Sequence, residues 1–287
     1  MVPENPKGIL YLVATPIGNL ADLSFRAVAV LQGVDFIACE DTRHSRPLLE
    51  RHGIIKPLAA LHEHNEDTAS KKLLDRLEKG ESMALISDAG TPLINDPGFP
   101  LVRLAIELNL RVVPVPGACA LVAALSASGL PTGRFAFEGF PPRTSSARRT
   151  LLQNLADNSG TLIFYESSHR VLEFLKDIAS VFPPQRSIVI ARELTKLHET
   201  FLRCKVEEAA ILVESDPNME KGEFVVLLEG APQHNHNEEL TSEQTRVLKL
   251  LLEECSVKTA ASLTAKVTGA RKELAYQAAL KLADKRG

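Results

Sequence analysis

The chain has 287 residues, of which 45% are apolar and 24% charged, and a net charge of −3. That is longer than one typical domain and apolar enough to fill real cores, so two domains and a small extra one are expected. A chain that is acidic overall does not coat nucleic acid by bulk charge, and no apolar run reaches the roughly 18–20 residues a membrane span needs.

The first half alternates strand and helix patterns. Apolar runs at 8–15, 35–39, 57–61, 82–87 and 111–115 read as strands. Segments with helical periodicity lie between them at 22–31, 45–52, 69–79 and 97–108. Short connections between such segments imply a mainly parallel sheet covered on both faces, with ligands bound outside the carboxyl ends of the strands. A small-residue helix over 118–127 ends at Ser128-Gly129-Leu130-Pro131, where the first domain, 9–131, is expected to stop.

A second α/β unit, 132–231, follows. Strands are expected at 135–140, 161–165, 187–192 and 223–229, with helices at 146–155, 171–181 and 207–213. Residues 231–239 form a polar linker. The rest, 240–287, reads as three helices at 242–254, 259–268 and 271–284. The last two, joined through Gly269, form a helix-turn-helix pattern. Residues 241–287 hold nine Lys/Arg against five Asp/Glu, a local excess of +4 in an acidic chain.

The densest candidate site is Ser87-Asp88-Ala89-Gly90-Thr91-Pro92-Leu93-Ile94-Asn95-Asp96-Pro97-Gly98. Glycine lets a backbone approach a ligand closely and proline fixes the turn. Asp88 ends the strand where a ligand's polar groups would sit, whereas Asp96 and Pro97 read as the cap and first turn of the next helix. The loop Thr15-Pro16-Ile17-Gly18-Asn19 stands where a dinucleotide protein would carry G-x-G-x-x-G, and that fingerprint is absent. Glu40–His44 reads equally as a site element or as a helix cap. His62 and His64 read as solvated loop, since residues two apart point to opposite faces of a strand. His234 and His236 belong to the linker.

In the second unit, Tyr165-Glu166-Ser167-Ser168-His169-Arg170 and Arg192-Glu193-Leu194-Thr195-Lys196 follow two strands expected to be neighbours. Arg143, Arg148 and Arg149 make a run of positive charge that suits phosphate as well as a solvated helix start. Cys39, Cys119, Cys204 and Cys255 are scattered, without a C-x-x-C pair, and read as small apolar side chains in a reducing compartment. Residues 1–8 lack an apolar leader core, which points to the cytoplasm.

Several segments together carry a resemblance. VATPIGNLADL, ACEDTRHS, SDAGTPLINDPG, VPVPGA, ALSASGLP, FEGFPPR, TLIFYESSHR and ARELTK resemble the tetrapyrrole methylase superfamily, and within it the bacterial 16S rRNA cytidine-2′-O-methyltransferases. The similarity spans about residues 9–230, and the C-terminal helices resemble that branch's small extra domain. The resemblance implies two α/β domains with S-adenosylmethionine in the cleft between them, a homodimer, and 16S rRNA within the 30S subunit as the partner. Tetrapyrrole-making relatives carry G-x-G-x-G-D after the first strand, and its replacement here favours the rRNA branch. The resemblance assigns cofactor contacts to Asp88, Ala89, Gly90, Thr91 and Ile94, to Pro116 and Gly117, to Ala127 and Ser128, and to Tyr165. A ribose 2′-OH is a poor nucleophile, so a general base would help. Glu193, Lys196 and Glu166 are the candidates, with His169 a further one, and Arg170 and Arg192 join the Arg143–Arg149 run as phosphate contacts. A methylase of corrinoid or porphyrinoid small molecules, or a non-catalytic RNA-binding assembly factor, are the alternatives.

Overall fold

A computed structural model describes residues 7–62, 64–216, 219, 221–232 and 240–283. Residues 1–6, Glu63, the linker histidines His234 and His236, and Asp284 at the expected end of the last helix lie outside the described residues. Residues 1–230 form one compact unit and 231–287 another.

The first sheet is built from β1 (Ile9–Val13), β2 (Phe36–Cys39), β3 (Leu58–Ala60), β4 (Met83–Ile86) and β5 (Arg111–Val115), in the order β3-β2-β4-β1-β5. Every pairing is parallel. The central strands FIAC and MALI are buried at every position, as a sheet covered on both faces requires. The covering helices are α1 (Phe25–Gly33), α2 (Thr42–Arg51), α3 (Glu66–Glu78) and α4 (Phe99–Glu107), with a single 3-10 turn at Leu20–Asp22. Ser24 starts α1 by accepting from Ala27 N, and Asp41 starts α2 by accepting from Arg43 N. Helix α4 is capped by Gly98, not by Asp96, which frees the Asp96 side chain for another role.

Helix α5 (Ala120–Ser128) leaves the first sheet and lies on the second. Its Leu121, Ala124 and Leu125 pack with Ile163, Val189, Ala191, Val225 and Leu227. The second sheet holds β6 (Phe135–Gly139), β7 (Thr161–Ser167), β8 (Ser187–Arg192), β9 (Thr200–Lys205) and β10 (Glu223–Leu228), in the order β6-β7-β10-β8-β9. Its other face is covered by α6 (Ser145–Asn154), α7 (Val171–Val181) and α8 (Val206–Ser215) through a core around Phe164, Phe174 and Val226. The sheet is mixed: β6 and β7 are parallel, whereas β10 runs antiparallel to both β7 and β8. The expected neighbours β7 and β8 are therefore parallel but separated by β10. Their carboxyl ends still share one edge of the sheet with the start of β10.

The C-terminal unit is made of α9 (Ser242–Glu254), α10 (Val257–Thr268) and α11 (Lys272–Ala283), packed on Leu248, Ala260, Ala261, Ala275 and Ala279. Alanines at the crossing points let the helices approach closely. Thr241 and Gln244 form a capping box on α9, Ser256 caps α10, and Gly269 ends α10 in the left-handed region at φ 71°. None of the described helices is long and apolar enough to cross a membrane.

Candidate functional site

The strand-end loops of both sheets meet at a cleft of about 430 Å³. From the first sheet come Ile17 after β1, residues 88–91 and 94–96 after β4, and Cys119 and Ala120 at the start of α5. From the second come Phe140 after β6, residues 165–168 at the end of β7, Leu194 after β8, and residues 222–225 at the start of β10.

The first-sheet wall is a sewn loop. Thr15 and Gly90 exchange backbone hydrogen bonds at 2.9 and 3.1 Å, and Thr15 Oγ1 donates to Ser87 O at 3.1 Å. Thr91 Oγ1 donates to Ala118 O at 3.0 Å, which ties the β4 loop to the β5 loop. Gly90 has a φ of +88°, which a residue with a Cβ rarely adopts. Leu93 and Asn95 also have positive φ, at 71° and 68°, without being glycine. On the opposite wall Glu193 and Thr195 do the same, at 50° and 65°. Such conformations persist where surrounding contacts over-determine them, and they cluster at functional sites.

Those contacts cross the cleft. Asn19 N donates to Thr195 Oγ1 at 3.1 Å, and a Cβ on Gly18 would stand 2.4 Å from Lys196 Cγ. Lys196 Nζ in turn meets Glu193 Oε1 at 2.8 Å and Glu223 Oε2 at 2.9 Å, while Glu193 Oε1 also accepts from Glu223 N at 3.0 Å. Burial works to lower the Lys196 pKa, but the two carboxylates outweigh it and hold the ammonium above its ordinary value. Burial likewise works to raise Glu193, and the hydrogen bonds from Lys196 and Glu223 N bring it below the usual range.

Three further groups, Asp96, Tyr165 and Glu166, are instead shifted toward their neutral forms. Burial lifts the Asp96 carboxyl to about 6 against a hydrogen bond from Ser87, with Glu40 and Asp88 nearby adding to the rise. The Tyr165 phenol is pushed up by burial and by Cys119, and its oxygen accepts from Leu121 N at 3.0 Å. Burial raises Glu166 against the Ser167 N–H and Arg170. Its side chain is 0% exposed. One carboxylate oxygen accepts from Ser167 N at 2.8 Å, and the other lies 3.2 Å from Arg170 Nη2.

Of the ten residues expected to hold a cofactor, Asp88, Ala89, Gly90, Thr91, Ile94 and Tyr165 line the cleft. Pro116 and Gly117 are exposed and do not line it, and Gly117 is so close to Ala14 that a Cβ would come within 2.8 Å of the alanine Cβ. Ala127 and Ser128 are not brought to the cleft. They close the far end of α5, about 12 Å along the helix from Ala120 at 1.5 Å per residue, and their carbonyls accept from Arg203.

Of the three expected catalytic residues, Glu193 and Lys196 pair beside the cleft wall, and Glu166 is buried inside it. His169 is exposed and does not line the cleft. The phosphate expectation fails for two arginines. Arg148 is 1% exposed, with its guanidinium committed to Asp177 at 2.7 Å and to Arg143 O at 2.8 Å. Arg192 is 8% exposed and donates to Lys221 O and His198 O. Arg170 braces Pro141 O and Pro142 O, whereas Arg143 and Arg149 are exposed. Sequence reasoning took Asp96 for a helix cap, named Leu194 only as part of the cluster after β8, and missed Phe140 and Glu223 as cleft residues. The last two carry no signal until the strand order is known.

The Tetrapyrrole (Corrin/Porphyrin) Methylases family matches residues 9–210, and the family described as RsmI C-terminal HTH domain matches 238–283. The chain is 54% identical to "Ribosomal RNA small subunit methyltransferase I" of Pseudomonas aeruginosa, over 95% of this chain and 97% of that protein. It is 50% identical to the protein of the same name from Escherichia coli O157:H7, over 96% of each. Among solved structures, a cobalt precorrin-4 methyltransferase superposes with a TM-score of 0.57 at 16% identity, covering 77% of this chain and 94% of that one. The uroporphyrin-III C-methyltransferase of Thermus thermophilus gives 0.55 at 20%, covering 78% and 94%. At those identities the two structures establish the fold alone.

Proposed function

We propose, from the premise that this chain belongs to the tetrapyrrole (corrin/porphyrin) methylase family, that it is an S-adenosylmethionine-dependent methyltransferase of small-subunit ribosomal RNA. Its target is the 2′-hydroxyl of a cytidine in the decoding region of 16S rRNA. The observation that carries this reading is the meeting of the β4 loop and the β7, β8 and β10 ends in one cleft. The name shared by relatives that match nearly the whole chain supplies the substrate class.

The cleft fits the cofactor. Its volume lies in the range for a molecule of that size. Asp88 and Asp96 suit the donor's cationic groups, and Ile17, Ile94, Leu194 and Val225 suit its apolar ones. S-adenosylmethionine supplies a methyl group already activated on a sulfonium. What remains for the protein is to hold the accepting oxygen in line and to keep water out.

Lys196, held as a cation by Glu193 and Glu223, orients the ribose oxygen rather than taking its proton. A hydroxyl that has accepted a methyl group becomes a strong acid, so a carboxylate of low pKa suffices to receive its proton. Glu193 and Glu223 are the proton acceptors in this reading. Glu166 is a positioning residue that fixes Arg170 and through it the loop at 141–142. The assignment divides the chain into 9–131 and 132–231, which build the cleft, and 240–287, which takes hold of RNA. The enzyme works as a homodimer in the cytoplasm.

The substrate is the assembled 30S particle, because a chain of net charge −3 offers few non-specific phosphate contacts. The test is to incubate the protein with tritiated S-adenosylmethionine and 30S subunits from a strain lacking the activity, then to map the labelled nucleoside. A 2′-O-methylcytidine at one position is expected. Donor binding without transfer to RNA would turn the reading toward a small-molecule methylase, and efficient labelling of protein-free rRNA would defeat the 30S assignment.

A further inference from the structure

One loop at the rim of the cleft is braced from behind and displays recognition groups to solvent. Residues 140–144 connect β6 to α6, and contacts to Asn95, Arg170 and Arg148 hold the stretch from Gly139 to Arg143. Gly139, at φ +66°, approaches Asn95 so closely that a Cβ would stand 2.7 Å from its Oδ1. Pro141 O and Pro142 O accept from Arg170 Nη2, and Arg143 O accepts from Arg148 Nη1 at 2.8 Å. Two of those arginines are themselves anchored, Arg170 by Glu166 and Arg148 by Asp177.

What this scaffolding presents is an aromatic ring and a cation. Phe140 lines the cleft and is 50% exposed. The Tyr165 ring supports it edge-on at 5.8 Å, and Phe137 backs Tyr165 at 4.7 Å. Arg143, three residues on, is exposed. A large apolar ring left half in water on a fixed loop marks a contact surface. A ring beside a cation is the combination that holds a nucleotide, through stacking on the base and attraction to the phosphate.

We propose that Phe140 is the platform on which the target nucleotide's base stacks once it has left its neighbours, with Arg143 holding the adjacent phosphate. This rests on the function proposed above and specifies how that site takes its substrate. For a ribose hydroxyl to reach a methyl group inside a 430 Å³ cleft, its nucleotide must be drawn out of the surrounding stack. Unstacking costs free energy, and an aromatic ring at the mouth returns part of it. Stacking reads no hydrogen-bond pattern, so Phe140 serves extrusion and not the choice of base. A ring that packed on the methyl donor would need no basic neighbour and no bracing loop open to solvent.

The chain contains no tryptophan, which makes a ring replacement at 140 its own reporter. Kinetics would be measured with 30S subunits and tritiated S-adenosylmethionine, and donor affinity by calorimetry, for the wild type, Phe140→Ala, Phe140→Leu and Phe140→Trp. Because the side chain is half exposed, all are expected to fold. Phe140→Ala should lower kcat/KM for 30S by roughly tenfold to a hundredfold, matching the loss of one stacked base. Donor affinity should stay within about twofold, since the proposal seats the base, and not the donor, against this half-exposed ring at the cleft's mouth. Phe140→Leu should not recover the loss, and Phe140→Trp should.

An equal loss of donor affinity in Phe140→Ala, or no change in either quantity, overturns the proposal. If the wild type labels no RNA at all, the proposed function fails first. The Phe140→Trp fluorescence with a cytidine-containing RNA hexamer then decides the stacking separately. Quenching by the hexamer but not by S-adenosylhomocysteine alone keeps the platform, and no quenching discards it.

Discussion

Arg148 and Arg149 are adjacent and alike in sequence, yet the fold buries one and exposes the other, and substituting each in turn separates stability from the proposed RNA contact. The Arg148 side chain is 2% exposed and Asp177 is 10% exposed, with Nε 2.7 Å from Oδ2. Replacing Arg148 by Ala strands the Asp177 carboxylate, and breaking one side of a buried pair costs about 3–5 kcal/mol. Ser145 Oγ, 2.6 Å from Asp177 Oδ1, and Arg149 Nε, 3.8 Å away, remain as partial compensation, which selects the lower end. At about 3 kcal/mol and roughly 2–4 °C per kcal/mol for a unit of this size, Tm should fall by about 6–12 °C. Arg149 is 51% exposed, so Arg149→Ala should leave Tm nearly unchanged. It should instead weaken association with 30S and reduce the slope of log affinity against log salt by about 0.7. Calorimetry and salt titrations of both variants make the comparison. If Arg148→Ala melted like the wild type and flattened the salt slope, its guanidinium would be reaching phosphate and the buried pair would be misjudged.

Asp96 predicts a pH signature. Its carboxyl is lifted to about 6 by burial, so the fold favours the protonated form. The stability cost is full above pH 6 and vanishes as pH falls toward the unfolded value near 4. Asp96→Asn should therefore stabilise the fold at pH 8 by an amount on the order of 1–2 kcal/mol, read as a higher Tm, with the gap closing by pH 4. A gap independent of pH would rule this out. Lys196→Met should lower kcat on the order of a hundredfold with donor affinity unchanged. It should also move the acid limb of the pH–rate profile upward, because Glu193 loses the ammonium that depresses it. A fall in donor affinity instead would place Lys196 in the cofactor site. Ending the chain at Gly230 removes a unit with its own apolar core. Donor binding should survive in calorimetry while KM for 30S rises, and an unchanged KM would deny the C-terminal helices a part in substrate capture.

The first sheet was readable because its strands are short, mostly apolar and bounded by Gly and Pro, and because a parallel sheet puts every strand end on one side. That rule pointed to the loops that carry Thr15, Asp88 and Gly90, and the family resemblance marked Asp88 and Gly90 as well. The second sheet hid more. Strand β9, Thr200–Lys205, mixes Arg and Lys into a half-buried edge, and such a strand lacks the clean alternation of a covered one. The antiparallel run of β10 depends on pairings across the sheet that no local pattern encodes. Without it Glu223 could not be seen to stand between the ends of β7 and β8. Arg148 and Arg192 failed for the reverse reason. A run of charge suggests a solvated face, and only tertiary packing reveals that a guanidinium is spent on a buried carboxylate or on backbone carbonyls.

The strained residues and the contacts between the sheets belong to one device. Asn95 on one side of the cleft meets Gly139, and Asn19 and Gly18 on the other meet Thr195 and Lys196. Each crossing is made by, or lies next to, a loop residue with positive φ, and such conformations cost roughly 1–3 kcal/mol apiece. The cost is accepted because each loop must turn back across the cleft instead of continuing away from it. Methyl transfer demands that oxygen, carbon and sulfur stay in line, and a small misplacement of either wall forfeits much of the rate. Two walls joined on both flanks cannot drift against each other, so a donor and an acceptor held by different sheets, as proposed above, would keep a fixed separation. A cleft joined on one flank only would hinge, and the sheet that carries Lys196 would lose its register with the sheet that carries Asp88.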